Sequence, residues 1–426
     1  MKLWEKGMKT NEKIDRFTVG NDRELDLVLA EYDVRASKAH ANMLGSIGLL
    51  TKEENLAMIS ALDEVHDSIE KGEFTIEGSF EDMHSKIEFL LIQKLGDTGK
   101  KIHTARSRND QVLVAMQLFI KEELQSVKKQ VKELFEVLLQ LADKNKKVLL
   151  PGYTHLQVAM PSSFGLWFSA YAESLIDDLF FVDAALRVAD QNPLGSAAGY
   201  GSSFPIDREM TTRELNFSTL KYNVVAAQMG RGKVEKAAAV GMAGVASTLS
   251  KLSMDICLYM SQNFNFISFP DDLTTGSSIM PHKKNPDVFE LVRGKCNVIQ
   301  ALPNELTLLL TNLPSGYHRD LQVTKNSLLP ALQELKACLD ILTFSLPKAV
   351  VREDILEDPK YDLLFTVDAL NDLVVQGIPF RDAYKQIALE VEEGKFKFGK
   401  DAKHTHQGSI GNLCLQEIRD KMKLIS

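Results

Sequence analysis

The sequence predicts an all-α protein built on a central bundle of long helices, and three observations predict it. Five segments place apolar residues at alternating three- and four-residue steps over several turns, which marks one buried face of a helix. Several of these stripes are wide or double-faced, more than a single bundle buries in a monomer, so contacts between bundles in an oligomer are expected. The chain has 426 residues, 44% hydrophobic and 25% charged, which suits a globular protein of two or three domains.

Residues 1 to about 105 read as a first, mostly helical domain. Residues 25–44 read as a helix carrying Asp33, Ser37 and His40. Thr51-Lys52-Glu53-Glu54 is a capping box that opens a helix through Leu56, Ile59, Leu62 and Ile69, ended near Gly72. Glu81-Asp82-Met83-His84 begins a third helix, through Ile87, Leu90 and Leu91 to Gly96. The central domain, 106–349, holds the five stripes: Leu124 to Leu141, Phe164 to Leu186, Val245 to Tyr259, Val292 to Leu310 and Leu328 to Leu342. Pro303 falls inside the fourth and is expected to kink it. The Ala- and Gly-rich run from Ala237 to Ala246 permits close helix approach. A last, smaller domain, 350–426, holds helices over Val367 to Val375 and Phe380 to Val391, the second after a break at Gly377 to Pro379.

Composition narrows the function classes. A net charge of −8 offers no bulk basic field for nucleic acid, so an anionic substrate has to be drawn by individual Lys and Arg residues. Cys257, Cys296, Cys338 and Cys414 are too widely separated for a zinc site or a disulfide framework, and buried reduced thiols are expected. His404 and His406 lack a carboxylate or cysteine partner at ligand spacing; they read as solvent-exposed loop histidines, and no metal is expected. The opening MKLWEKGMKTNEKIDRF is charged without an apolar core, so no secretory signal is expected there. No uncharged apolar run reaches the roughly 18 residues of a membrane span. A cytoplasmic protein is the expectation.

Four polar stretches between the stripes carry the chemistry. GSSIMPHKKNPD (276–287) sets flexible backbone, free N–H donors and hydroxyls beside two lysines, with Pro281 and Pro286 restricting the chain; it is built to hold anionic groups. The run from Gly99 to Gln111 packs two lysines, two arginines and a histidine in front of a long helix, where anions bind. PGYTHLQ (151–157) offers a hydroxyl and an imidazole, suited to proton transfer near neutral pH. LPSGYHRDLQ (313–322), with Lys325, offers Tyr, Gln and Lys to polar substrate ends. The small-residue loop 192–199 places backbone near a ligand or another chain; its glycine spacing is wrong for a dinucleotide fingerprint.

GSSxMPxKxNP resembles the signature loop of the fumarase/aspartase superfamily. Together with TARSRNDQV (104–112), PGYTHLQ, ELVRGK (290–295) and LPSGYHRDLQ, it resembles the argininosuccinate lyase family, in register over about residues 20–345; KLW near the start and ASKAH (36–40) match more weakly. Lys284, where fumarase-like and aspartase-like relatives have Val-Asn after the loop lysine, favours this branch over them, and PGYTHLQ and TARSRND favour it over adenylosuccinate lyase. The resemblance implies three helical domains, a twenty-helix core in a homotetramer, and active sites each assembled from separate subunits. It implies reversible β-elimination of argininosuccinate to arginine and fumarate, the last step of arginine biosynthesis, with no metal or organic cofactor. By position it implies Ser277 as the base, with Lys283 and loop N–H groups stabilising its alkoxide. Thr154 and His155 match the general-acid side, the proton donor between them left open, and Glu290 matches the charge partner of the histidine. Ser107, Arg108, Asn109, Thr154, Lys283, Asn285, Tyr317, Gln322 and Lys325 match substrate ligands.

The chain departs from the family pattern at Gly20-Asn21-Asp22-Arg23, which lacks a serine, at Met229-Gly230-Arg231-Gly232-Lys233 for Ser-Asp/Glu-Arg-Asp-Phe, and at Val323-Thr324-Lys325-Asn326 for Glu-Asp-Lys-Glu; His282 replaces a glutamine. The first and third lie near the residues expected to hold the arginine half. An alternative substrate is therefore an N-acylated argininosuccinate. A non-catalytic structural protein on the same scaffold, as in the related lens delta-crystallins, is the reading from another class; intact Ser277, Lys283, Thr154 and His155 argue against it.

Overall fold

The structure, a computed structural model, describes residues 11–400 and 404–425; the Lys2-Leu3-Trp4 stretch and Lys403 lie outside the described residues. The chain opens with α1 (Glu12–Val19), α2 (Asp22–Ser46), α3 (Lys52–Glu70), α4 (Met83–Leu95) and the single turn α5 (Asp97–Lys100). The capping box at Thr51 forms: Glu54 N donates to Thr51 Oγ1 at 3.1 Å and Thr51 N to Glu54 Oε2 at 2.9 Å. Asp82 caps α4 by accepting from Ser85 N at 2.8 Å. Gly72 and Gly96, at φ +69° and +59°, let the chain leave α3 and α4 in a conformation other residues resist.

Next come α6 (Arg108–Lys144), a hairpin of β1 (Leu149–Thr154) and β2 (Gln157–Ser163), and α7 (Phe164–Ala189). β3 (Gln191–Asn192), α8 (Arg208–Glu214), β4 (Thr219–Leu220) and α9 (Val224–Met229) follow, with β3 and β4 paired in parallel. The chain then forms α10 (Lys233–Met260), β5 (Ile267–Ser268), α11 (Asp287–Ile299), α12 (Leu302–Leu309), α13 (Thr324–Ser345) and β6 (Val350–Val351), with β5 and β6 antiparallel. It ends with α14 (Thr366–Val375), α15 (Phe380–Glu392) and α16 (Leu415–Lys423). The fold is helical, as the stripes predict.

Two compact units divide these elements. The first runs to Val127 and adds Phe181–Ala243 and Ile299–Glu334; the second holds Lys128–Phe180, Gly244–Val298 and the chain from Leu335. The long helices α6, α7, α10 and α13 carry residues of both. In the first unit α2, α3 and α4 pack together over Leu29, Val34, Met43, Met58, Leu62, Ile87 and Leu91, all buried. In the second, the stripe residues Val131, Leu134, Leu138, Phe164, Phe168, Leu249 and Leu339 are buried, each such side chain stabilising by roughly 1.5–3 kcal/mol. A satellite core of Ala369, Leu370, Ala383 and Ile387 joins α14 to α15.

Three expectations are corrected. The fourth stripe is broken rather than kinked: α11 stops at Ile299, and Pro303 sits in the first turn of α12, where its missing N–H costs nothing. The link between the first two long helices is a β-hairpin, where the all-α prediction expects no strand. His404 is half-buried, with Nε2 2.7 Å from Asp368 Oδ1, so it is a docked side chain rather than a solvated one. The close approach expected at Ala237 to Ala246 is present: a Cβ on Gly241 would lie 3.2 Å from Val182 Cα.

Candidate active site

In the first unit the site begins at the start of α6. Ser107 and Asp110 cap that helix reciprocally: Asn109 N donates to Ser107 Oγ at 3.3 Å and Ser107 N to Asp110 Oδ1 at 2.8 Å. The other oxygen of Asp110 accepts from Gly195 N at 3.1 Å and Ala197 N at 3.0 Å. The small-residue loop therefore brings its backbone to Asp110, an anchor the sequence did not indicate. Burial pushes the Asp110 carboxyl up to about 6, against those N–H donors and Arg106.

Beneath this segment lies a buried polar floor from α2 and α4. Arg106 Nη1 donates to Ser37 Oγ at 2.9 Å, and His40 Nε2 lies 2.9 Å from Thr104 O. Burial, then the Arg106 charge, push His40 down to about 3, so it is neutral at physiological pH. His84 Nδ1 lies 3.0 Å from Asp33 Oδ1, both buried; burial opposes the charged imidazole, but the Asp33 carboxylate outweighs it and raises the His84 pKa.

Glu81 joins two of the predicted stretches. It lies 3.2 Å from Arg108 Nη1 and 2.9 Å from Arg319 Nη2, so 104–112 and 313–322 meet at one carboxylate. Sequence reasoning used Glu81 only as a helix start. Arg108 also reaches Asp82 at 3.3 Å and Ser85 Oγ at 3.1 Å, while Gln322 Nε2 donates to Thr18 O at 3.0 Å. Tyr317 is half-buried, its ring 5.6 Å from the Arg231 guanidinium carbon. Lys325 differs most from its expected place. It is 2% exposed, and its ammonium is held by Asp22 and by Asp26 at 2.7 Å. Its charge and donors are consumed by protein groups, so direct substrate contact does not fit this arrangement.

The second unit holds the proton-transfer candidates. Thr154 ends β1 and pairs with Gln157, leaving His155 and Leu156 as a two-residue turn at φ +54° and +57°. Both are non-glycine residues in the left-handed region, which costs of order 1–2 kcal/mol each. Leu156 is 76% exposed, and Thr154 and His155 are also exposed. Such strain at an exposed tip points to a functional constraint rather than to packing. Gly152 sits at the irregularity in β1, where a Cβ would meet Met160 O at 2.7 Å. Tyr153 OH lies 3.3 Å from Tyr361 OH, tying the base of the tip to the C-terminal part of the unit.

The loop 276–284 is closed at its neck, where Asn285 N donates to Thr275 O at 2.8 Å and Asn285 Nδ2 to Thr275 Oγ1 at 3.3 Å. Within the loop Ser277 Oγ accepts from Met280 N at 3.2 Å and Ile279 N at 3.4 Å. Lys283 N turns back onto Met280 O at 3.0 Å, while the Lys283 side chain is exposed. Lys284 is paired with Asp271. Glu290, in the first turn of α11, is exposed and lies 4.0 Å from Arg293 Nη2; among the described residues no hydrogen bond or ion pair joins it to His155. Two N–H groups aimed at one hydroxyl oxygen favour its negative form.

Comparison with known proteins follows this geometry. A family model described as lyase matches residues 9–301. Argininosuccinate lyase of Phocaeicola vulgatus is 57% identical over 424 residues, covering 100% of this chain and 95% of the relative. That of Bacteroides thetaiotaomicron is 56% identical over the same length and coverage. That of Xanthomonas campestris is 40% identical over 427 residues, covering 99% of each chain. Among solved structures, an EDDS lyase complexed with formate superposes with a TM-score of 0.81 at 22% identity, over 98% of this chain and 90% of the other. A class II fumarase from Schistosoma mansoni gives a TM-score of 0.74 at 17% identity, over 96% and 94%. These two likenesses are of fold.

Proposed function

This chain belongs to the argininosuccinate lyase family, and from that premise we propose that it cleaves argininosuccinate to arginine and fumarate by reversible β-elimination, in arginine biosynthesis. The observation that carries the chemistry is the Ser277 hydroxyl facing two backbone N–H groups in a loop closed by Thr275 and Asn285. A serine is a weak base unless its alkoxide is stabilised, and those donors with the Lys283 charge favour that form. Ser277 takes the proton next to the departing fumarate carboxylate. Thr154 or His155, on the strained hairpin tip, returns a proton to the leaving nitrogen, with Glu290 as charge partner of the histidine. Ser107, Arg108, Asn109, Lys283 and Asn285 hold the fumarate half; Tyr317 and Gln322 serve the arginine half, and the buried Lys325 holds Asp22 and Asp26 in place beside them. No metal or organic cofactor takes part.

The reading includes three domains, at 1–105, 106–349 and 350–426, and a homotetramer in the cytoplasm with sites shared between subunits. Exposed apolar side chains opposite the buried stripes support the assembly: Phe181, Val240 and Leu308 in the first unit, Phe180, Met254, Leu291, Val298 and Phe344 in the second. Among the described residues no helix is long and apolar enough to cross a membrane. Following fumarate absorbance with argininosuccinate tests the reaction. Ser277→Ala is expected to lower kcat by about a thousandfold or more while substrate still binds. Near-normal turnover would place the base elsewhere.

A second reading, an N-acylated argininosuccinate as substrate, is favoured by one observation. Asp22 and Asp26 are both engaged by Lys325 and are not free to hold a charged α-amino group. Comparing kcat/KM for the free and N-acetylated compounds decides it. A preference for the free amine above about tenfold, roughly 1.4 kcal/mol, removes this reading.

A further inference from the structure

In the first unit, a cavity of about 210 Å³ opens between the start of α10 and the 313–321 segment. Its lining holds Arg231, Lys233 and His318 and no acidic residue. Arg231 is 5% exposed and its Nε has no hydrogen-bond partner; Nη2 makes a 3.5 Å bond to Leu321 O, the Tyr317 ring faces the guanidinium, and the Arg231 charge is felt by Glu235 and by Asp22, the latter already paired with Lys325. Gly230 and Gly232 flank it, so neither neighbour supplies a counter-charge. Glu235 feels the Arg231 charge, yet burial pushes its carboxyl up, its Oε2 is taken by Gly232 N at 2.6 Å, and no ion pair within 4 Å joins it to Arg231 among the described residues. Lys233 and His318 likewise have no ion-pair partner among the described residues, and the Lys233 charge reaches Lys221, whose pKa burial and Lys233 together lower.

The turn that presents these groups requires glycine at position 232. Gly232, at φ +79°, lies against Leu310 so closely that a Cβ would fall 2.1 Å from Leu310 Cδ2. A buried guanidinium with an unsatisfied N–H and no ion pair of its own among the described residues is costly, and the Lys233 ammonium on the same cavity adds a like charge. An anion resolves both costs. We propose that this cavity is a binding site for a carboxylate or phosphate oxyanion, completed by Arg231, Lys233 and His318. The anion has two sources: a carboxylate on the amino-acid half of the substrate, or a free small anion. The assignment of the cavity stands apart from the lyase reading; only the first source rests on it.

The full-length protein and inorganic phosphate test the site. Calorimetric titration at constant ionic strength is expected to show phosphate binding that weakens at least fivefold in Lys233→Gln and further in Lys233→Gln/His318→Gln, with melting temperatures close to wild type. Kinetics then separate the sources. A substrate carboxylate makes phosphate compete with argininosuccinate, and Lys233→Gln raises KM about tenfold with kcat within twofold. A free anion changes kcat at saturating substrate and leaves KM unmoved by the substitution. Phosphate affinity equal within twofold in all three proteins overturns the site whether or not the chain cleaves argininosuccinate.

Discussion

Lys325 shows how a residue type misleads when its partners are hidden. In the sequence it follows a polar stretch and resembles a ligand; in the fold it is a buried ammonium between two carboxylates from α2. Removing one member of such a cluster leaves the others charged and unpaired, at a cost of about 3–5 kcal/mol. Lys325→Met is therefore expected to lower the melting temperature markedly, as well as any activity, and a thermal scan checks this. An unchanged melting temperature would return the lysine to the role of a substrate ligand. Ser277 is the opposite case. Its motif singles it out, and its local partners are backbone groups three residues away or fewer, so little of its setting depends on the distant chain.

At the level of elements, the start of α6 is held by a carboxylate whose charge is expensive. The Asp110 pKa, raised by burial to about 6 from 3.8, makes this group favour folding most when protonated. Its contribution is full below pH 3.8 and is lost as pH rises through about 6; at about 1.4 kcal/mol per unit the loss is about 3 kcal/mol. Asp110→Asn cannot ionise. Relative to that variant, the wild type is expected to lose about 2.4 kcal/mol of stability between pH 4 and pH 7.5, measured by urea unfolding. Parallel pH profiles for the two proteins would show that Asp110 does not titrate in this range. The helices themselves were legible: α3 and α4 start and stop where their caps and glycines indicate. The hairpin was not, because Pro151-Gly152-Tyr153-Thr154 contains two residues that weaken strands, and it is pairing with β2 that makes it one.

For the whole molecule, the proposed sharing of sites between subunits has a sharp consequence. On the proposed roles, His155→Asn and Ser277→Ala are each expected to inactivate their own copy of one motif. Mixed tetramers, formed by dissociating and reassociating the two proteins, are expected to regain partial activity, because some sites then combine intact motifs from different chains. Absence of recovery in confirmed hybrids would mean that each site is built within one chain. The exposed apolar residues on α7, α10, α11, α12 and α13 are the surfaces such an assembly would cover.

By itself the sequence determined the helical class, the positions of the long stripes and the chemical character of the polar stretches. Helical periodicity, capping and motif composition depend on residues a few positions apart, and that information is local. What only the tertiary structure decided is which charges meet. Glu81 joining Arg108 to Arg319, Asp110 holding the loop at Gly195, Lys325 consumed by Asp22 and Asp26, and the Arg231 Nε left without a hydrogen-bond partner all link residues many positions apart or depend on burial. Solvation and Coulomb terms are set by distance and dielectric in the folded chain, and no spacing along the sequence encodes either.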